Sequence, residues 1–459
     1  MPARSTGARR SRGRRTRAAR YAAGKALRRK VPRPAQATWQ TPSDRPDPIE
    51  LLEDSNRGRI PELIPIRIGR MSLSPFAYLR GSASVMAHDL ASTPTTGLRV
   101  QLCGDAHLSN FGIFATPERD RVFDANDFDE TLPGPFEWDL KRLAASLVVA
   151  SRHNRLPKGA GHAAAVAAIR SYRERMHAFA SESYFDIWYS HIDRRNIPDP
   201  VDRRGRRLLG QAFHKARRRT GLYAYPRMVE KVGGDLRIRD DPPLIVHYPK
   251  DSRSQFATET FRRYLRSLPE ERRILLRRYE LVDTAQKIVG VGSVGTDCSV
   301  LLLLGDSDVE DPLFLQLKQA VASVLEPYAG ASRYASHAER VVAGQHLVQQ
   351  ASDVALGWSV SGGRDYYVRQ LRDMKFSSDV AGMGAKTLAG QAELCGAALA
   401  RAHARSGDPT TISGYLGEKP SFDEALARFA ESYADQTVAD HTALLRAIRR
   451  GRVPAAIDV

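Results

Sequence analysis

Residues 289–296, VGVGSVGT, lead into two apolar runs, CSVLLLL at 298–304 and LFLQLKQ at 313–319, both of which read as strands. Gly290, Gly292 and Gly295, with Ser293 and Thr296 among them, let the backbone approach an anion, and successive N–H groups can cradle a phosphate. The spacing fits Gly-x-Gly-x-x-Gly. A strand follows, however, where a dinucleotide site needs a helix, and no Lys-Ser or Lys-Thr pair completes a Walker A loop. An ordinary tight turn is the plain alternative. Lys318 adds weight, because it comes 23 residues after Gly295 inside an otherwise apolar strand. An amine facing inward there needs an anionic partner. Nucleotide phosphates and a helix glutamate would supply one. Glu339, on a helix expected over 331–352, is the preferred bridging carboxylate, and Glu326 is its competitor.

Toward the N-terminus, CGDAHLSNF at 103–111 places Asp105, His107 and Asn110 directly after a strand expected at 98–103. A loop at a strand end can turn three polar groups into one cavity. FDANDFDE at 123–130 then packs Asp124, Asp127, Asp129 and Glu130 into seven positions beside Phe123 and Phe128. Carboxylates held that close raise one another's pKa until a cation neutralises them. Oxygen ligands favour magnesium or manganese. A solvated acidic turn is the alternative. Asp139, at the start of the next helix, reads as a structural anchor. Lys141 and Arg142 are expected on the surface of that helix.

The 459 residues carry a formal charge of +18, and residues 1–34 hold 13 basic side chains and no acidic one, leaving +5 for the rest. A nucleic-acid function read from charge therefore rests on the tail and not on the fold. Residues 1–20 are expected to be a disordered cationic arm making at most a weak polyanion contact, and 31–48 a linker, with order starting near Leu51. Cys103, Cys298 and Cys395 lie far apart, which argues against a disulfide framework or a cysteine zinc site and for a reducing cytoplasm. Neither an 18-residue apolar run nor a signal-peptide core is present, so no membrane insertion is expected. Helical texture covers 137–152, 160–182, 258–277, 280–289, 386–406 and 421–450, and further strands are expected at 120–125 and 365–371. The chain divides into a tail and linker (1–48), a mostly helical part (49–284), a small sheet-containing lobe (285–380) and closing helices (381–459). The fold class is α+β.

Together these motifs resemble the protein-kinase-like superfamily, its aminoglycoside and fructosamine phosphotransferase branch above all. Over 56–450 the chain is similar to the bacterial family called domain of unknown function 2252, through PIRIGRM, FAYLRG, CGDAHLSNFG, NDFDET, PFEWDLKRLAAS, VGVGSVGT, VLEPY, YYVRQLRDMK and YADQTVADH. The resemblance implies a bilobal kinase-like fold in permuted order, with the catalytic loop before the glycine-rich loop and lysine strand. It implies an ATP- and magnesium-dependent phosphotransferase acting on an unknown small-molecule or protein hydroxyl. Asp105 would be the base, Asn110, Asp127 and Asp129 the metal ligands, and Lys318 the residue that positions the α and β phosphates under the Gly290–Thr296 cover. His107 contacts a phosphate or metal, or makes a structural hydrogen bond. Arg80, Arg369, Arg372 and Lys375 are candidates for an acidic acceptor or the γ-phosphate, or for rim salt bridges. Three rivals stand beside this reading. They are nucleotidyl transfer on the same scaffold, a noncatalytic nucleotide-binding scaffold, and a metal-dependent hydrolase centred on Asp105, His107, Asp124, Asp127 and Asp129.

Overall fold

Alanine and glycine let helices Ala160–Phe179 and Ala385–Ser406 meet backbone to backbone: a Cβ on Gly396 would lie 2.0 Å from the Ala168 carbonyl oxygen. Helices Phe136–His153 and Ser421–Arg449 close the bundle around this contact. Its core includes Phe136, Tyr172, Tyr415 and Phe422, with Phe136 stacked on Tyr172 at 6.2 Å. The computed structural model describes residues 15–456 except 194, 196–206, 208–209, 212, 217–220, 248–252, 306–310, 372–373, 375 and 378.

Thirteen short strands are distributed over four sheets among the described residues. In chain order they are β1 (Arg99–Gln101), β2 (Phe111–Ala115), β3 (Arg121–Ala125), β4 (Pro133–Pro135), β5 (Val229–Val232), β6 (Asp235–Ile238), β7 (Ile245–Val246), β8 (Glu280–Lys287), β9 (Cys298–Leu304), β10 (Pro312–Ala320), β11 (Gly357–Ser361), β12 (Arg364–Gln370) and β13 (Phe376–Ser377). The main sheet has the order β11-β12-β10-β9-β8-β7 with every pair antiparallel. The fold class is α+β as expected.

Two expectations about this sheet are corrected. Residues 280–289 are not helical: β8 pairs with β9 across a bulge at Leu281/Asp283, and that extra residue hides the period-2 pattern a strand would show. The sheet-dependent unit also begins well before residue 285. Leu301, Leu303, Leu315, Leu317, Tyr366 and Val368 pack against Phe261, Tyr264 and Leu276 from helices Arg253–Leu265 and Glu270–Leu276 and against Leu268 between them. On the other face Val300, Leu302 and Phe314 meet Ala224, Met228, Val229 and Ile238.

The N-terminal segment is corrected as well. Residues Arg17–Lys30 form a helix capped by Thr16, whose Oγ1 accepts from the Ala19 N–H at 3.2 Å. The helix packs on Pro409–Leu416 through glycines: a Cβ on Gly24 would fall 1.9 Å from the Thr411 oxygen, and one on Gly414 2.2 Å from the Tyr21 oxygen. Basic side chains of this segment are drawn to a helix C-terminus, where Arg28 of the helix donates to the Tyr415 carbonyl oxygen at 2.9 Å and Arg33, in the turn after it, to the Leu416 oxygen at 2.7 Å. Arg9, Arg10, Arg12 and Arg14 lie outside the described residues. Among the described residues no helix is long and apolar enough to cross a membrane, and Cys103, Cys298 and Cys395 are buried free thiols.

Gly414→Val should lower the thermal midpoint by several degrees, an overpacking cost of about 1–3 kcal/mol. Arg29→Ala, on the exposed face of the docked helix, should leave it unchanged. Equal midpoints for the two variants in a thermal melt would refute the glycine-mediated contact.

Candidate functional site

The loop after β1 is fixed by one buried carboxylate. Asp139 accepts the N–H of Cys103 at 2.7 Å and of Gly104 at 3.0 Å, with His403 Nε2 at 3.2 Å behind it, so the expected anchor role holds. Gly104 is required, because φ is +93° and a Cβ would lie 2.2 Å from the Glu130 oxygen. Asn110 Nδ2 donates to the Asp105 carbonyl at 2.7 Å, which leaves its amide oxygen available to the cleft. Asp105 Oδ1 accepts from Arg142 at 2.7 Å. Arg142 and Lys141 are thus buried and not on the surface, since helix Phe136–His153 is enclosed by the bundle on every side. Arg142 also donates to the Leu79 oxygen at 2.6 Å, and Lys141 lies over the Phe429 ring at 5.1 Å. His107 Nε2 is 3.7 Å from Asp105 Oδ2. Burial, with Arg142 and Arg80 nearby, pushes the His107 ring well below its ordinary pKa, so the ring is neutral at pH 7.

The acidic segment after β3 separates its carboxylates. Asp124 turns into the core, accepting from Arg401 at 2.6 Å and from the Gln350 N–H at 2.9 Å, and is no part of the cleft. Asp127 lines the cleft, and its Oδ1 is buried without a partner. Asp129 accepts from Lys318 Nζ, from Tyr367 at 2.8 Å and from Ser293 at 3.2 Å. Lys318 also donates to Ser293 Oγ at 2.7 Å. Burial alone would raise the Asp129 carboxyl, but the Lys318 charge and the hydrogen bonds outweigh it and hold the group at about 2. The same pair raises the Lys318 amine against the opposing effect of burial, so Lys318 is a fixed cation.

Asp129, and neither Glu339 nor Glu326, is therefore the carboxylate of Lys318. The β-sheet register decides this: Lys318 lies opposite Tyr367 and Cys298, on the face turned to the acidic loop. Helix His337–Val348 offers Arg340 instead, which donates to the carbonyls of Thr131 at 2.7 Å, Asp129 at 2.8 Å and Val321 at 2.8 Å. Glu326 lies 3.8 Å from Arg340, and Glu339 is half-buried outside the cleft lining.

The glycine segment joins β8 to β9, so it is flanked by strands on both sides. Gly290 and Gly295 have φ of +67° and +92°. Carbonyls of the turn are held from behind: Gly290 by Arg70 at 2.7 Å, Val294 by Arg59 at 2.6 Å, and Gly295 by the Ile60 N–H at 2.7 Å.

A cleft of about 300 Å³ lies between these loops. Asp105, His107, Asn110, Asp127, Asp129, Gly290, Gly292, Ser293 and Thr296 line it, Lys318 reaches it through Asp129 and Ser293, and Gly295 lies outside its lining. Arg59, Arg67 and Arg80 also line the cleft, and of these only Arg80 was singled out by sequence. Tyr367 and Arg142 were missed too, because their roles depend on partners far away in the chain. Arg369 is engaged structurally, with Gln316 at 2.9 Å and the Asn126 oxygen at 3.1 Å, while Arg372 and Lys375 lie outside the described residues. No group of three or more His, Cys, Asp or Glu among the described residues is arranged to hold a metal by itself. The oxygen donors at the cleft that suit a hard cation are the unpartnered Asp127 Oδ1 and the Asn110 amide oxygen.

Glu130 accepts the Val324 N–H at 2.7 Å, and burial pushes its carboxyl up to about 7 from the ordinary 4.5. The folded state thus binds this proton more tightly than the unfolded chain. Its contribution to stability is complete below pH 4.5 and is lost as pH rises through about 7. In thermal melts from pH 5 to pH 8, roughly the window of this titration, Glu130→Gln should gain on the wild type as pH rises. Parallel curves would show that the Glu130 carboxyl is not raised.

Residues 59–447 match a family described as uncharacterized protein conserved in bacteria (DUF2252). No curated protein and no solved structure matches the chain. Sharing that family's pattern over most of its length, from the cleft arginines to the closing helix, the chain belongs to the DUF2252 family.

Proposed function

We infer that the cleft binds a nucleoside triphosphate, ATP in the simplest case, with magnesium or manganese, and transfers its terminal phosphoryl group to a hydroxyl acceptor on a kinase-like scaffold of permuted chain order. One observation carries this reading: a glycine turn between strands, a fixed cationic lysine, an unpartnered buried carboxylate and a strand-end aspartate converge on one cleft from positions as far apart as 105 and 318. Phosphoryl transfer needs little beyond positioning and charge stabilisation, and these groups supply both.

A bound cation, held by Asp127 and Asn110, would neutralise phosphate charge. The Gly290–Thr296 backbone would cover the phosphates, and Lys318 would present its charge to them from the sheet. Asp105 has Oδ1 fixed by Arg142, and Oδ2 would orient and accept the acceptor's proton. As that proton leaves, the acceptor oxygen bonds to the terminal phosphorus, and the bond from that phosphorus to the bridging oxygen breaks to release the diphosphate. The neutral His107 would serve as a hydrogen-bonding neighbour and not as a charge.

A second reading, a nucleotide-binding scaffold without turnover, draws support from Asp129. Lys318 already neutralises it, so Asp127 is left as the carboxylate ready for a cation. The hydrolase centre loses support because Asp124 faces Arg401 in the core.

Calorimetric titration of magnesium–ATP should show binding to the wild type, weakened roughly tenfold or more in Lys318→Ala and in Asp127→Asn through the loss of a charged contact. Asp105→Asn should keep the affinity and lose turnover by about 10²–10⁴, as expected for removal of a general base. Absence of nucleotide binding in folded, metal-supplied wild type would sink the phosphotransfer reading. Binding without turnover over a broad acceptor set would favour the scaffold.

A further inference from the structure

The arginines on the cleft wall are not equivalent. Arg57 is paired with Asp54 at 2.6 Å. Arg59 donates to the Ser55 and Val294 oxygens, and Arg67 to Asn56 Oδ1 at 2.7 Å and the Gly81 oxygen at 2.8 Å. These guanidiniums hold the wall together. Arg80 differs, since it donates no side-chain hydrogen bond and forms no ion pair among the described residues; its Nε, like that of Arg67, is buried without a partner. The buried Nε–H is a donor left unmet, which is costly unless a ligand meets it, and the guanidinium has five N–H donors to offer at the cleft.

Place matters as much as charge. Arg80 ends helix Pro75–Gly81 directly beneath the glycine turn, where a Cβ on Gly292 would come within 3.1 Å of the Arg80 carbonyl oxygen. Arg80 and Asp105 line the same cleft; burial draws the Arg80 guanidinium below its usual pKa, and Asp105 is the charge that opposes the shift. Ser84 lines the same wall, and its Oγ is buried without a partner. Lys318, by contrast, is engaged with Asp129 and Ser293 under the sheet.

We propose that Arg80, assisted by Ser84, binds an anionic group on the acceptor, so that the acceptor is a hydroxyl compound bearing a phosphate or carboxylate near its reacting oxygen. The proposal rests on the phosphotransfer reading of the cleft. Arginine suits the task because its planar fork meets two oxygens of either anion at once. An anion seated on Arg80 leaves Asp105 Oδ2 free to meet the hydroxyl of the same molecule, which fixes the acceptor at two points.

The test uses the full chain and inorganic phosphate as the probe, titrated calorimetrically with and without magnesium and a nonhydrolysable ATP analogue. Phosphate should bind the wild type in both conditions, bind Arg80→Gln roughly tenfold more weakly, and bind Arg80→Lys with intermediate affinity. Affinity for the magnesium–ATP analogue should stay within about threefold across all three proteins. Thermal midpoints confirm folding, and Arg80→Lys keeps the comparison alive if Arg80→Gln is unstable. Phosphate binding that is absent, insensitive to Arg80, or abolished by the analogue overturns the proposal. A parallel loss of analogue affinity in Arg80→Gln also overturns it, because Arg80 would then serve the nucleotide's own terminal phosphate. Phosphate bound through Arg80 in a protein that takes no nucleotide refutes the phosphotransfer reading and the acceptor assignment with it, and leaves an anion site.

Discussion

Lys318 is withdrawn from water, Asp129 is half-buried at the cleft, and the ion pair between them joins the main sheet to the acidic loop. Such a pair compensates its desolvation only when the remaining donors and acceptors are met. Here Tyr367 and Ser293 meet them, one from β12 and the other from the glycine turn. Removing the Asp129 charge would strand the buried Lys318 amine, a loss of about 3–5 kcal/mol in comparable buried pairs. The register of β10 with its two neighbours, the pose of the glycine turn and the height of the acidic loop all converge on this contact. Arg340 secures the same loop from the far side through three carbonyls.

Around that pair, the carboxylates are neutralised one at a time and do not share a single cation. Asp105 has Arg142, Asp124 has Arg401 and Asp129 has Lys318. Glu130, pushed up to about 7 by burial, is only partly ionised at pH 7. Asp127 is the exception, and its bare oxygen gives the cleft a negative point among lining arginines. A cleft that holds both signs of charge favours a ligand that carries both, such as a polyphosphate with its cation.

What could be read from the sequence was what local chemistry determines. A glycine-rich turn before an apolar strand, a lysine inside such a strand and polar residues at the end of β1 each advertise themselves within a dozen positions, and the structure brings them to one cleft. The partner of Lys318 gave no such signal, because Asp129 lies far earlier in the chain and is selected by sheet register. The helix at Arg17–Lys30 was hidden for a related reason. Its basic composition reads as a solvated arm, and its docking depends on Gly24 meeting Thr411 and on Gly414 meeting Tyr21, which neither segment reveals alone. In β8 a bulge masked the alternation that marks a strand. Arg142 looked like a surface charge until its helix proved to be enclosed.

The close approach of Gly396 to Ala168 also has a meaning in time. Helix Ala160–Phe179 leaves the ribosome about 220 residues before helix Ala385–Ser406, a gap of roughly 10–40 s at ordinary rates of synthesis. Throughout that interval its alanine face has no partner. Every residue that lines the cleft has already been made by then, since the lining ends at Val324. A chain that stops short of residue 385 would therefore carry the complete set of cleft side chains and the sheet core but not the finished helical bundle, and would meet the cell as a substrate for chaperones and proteases.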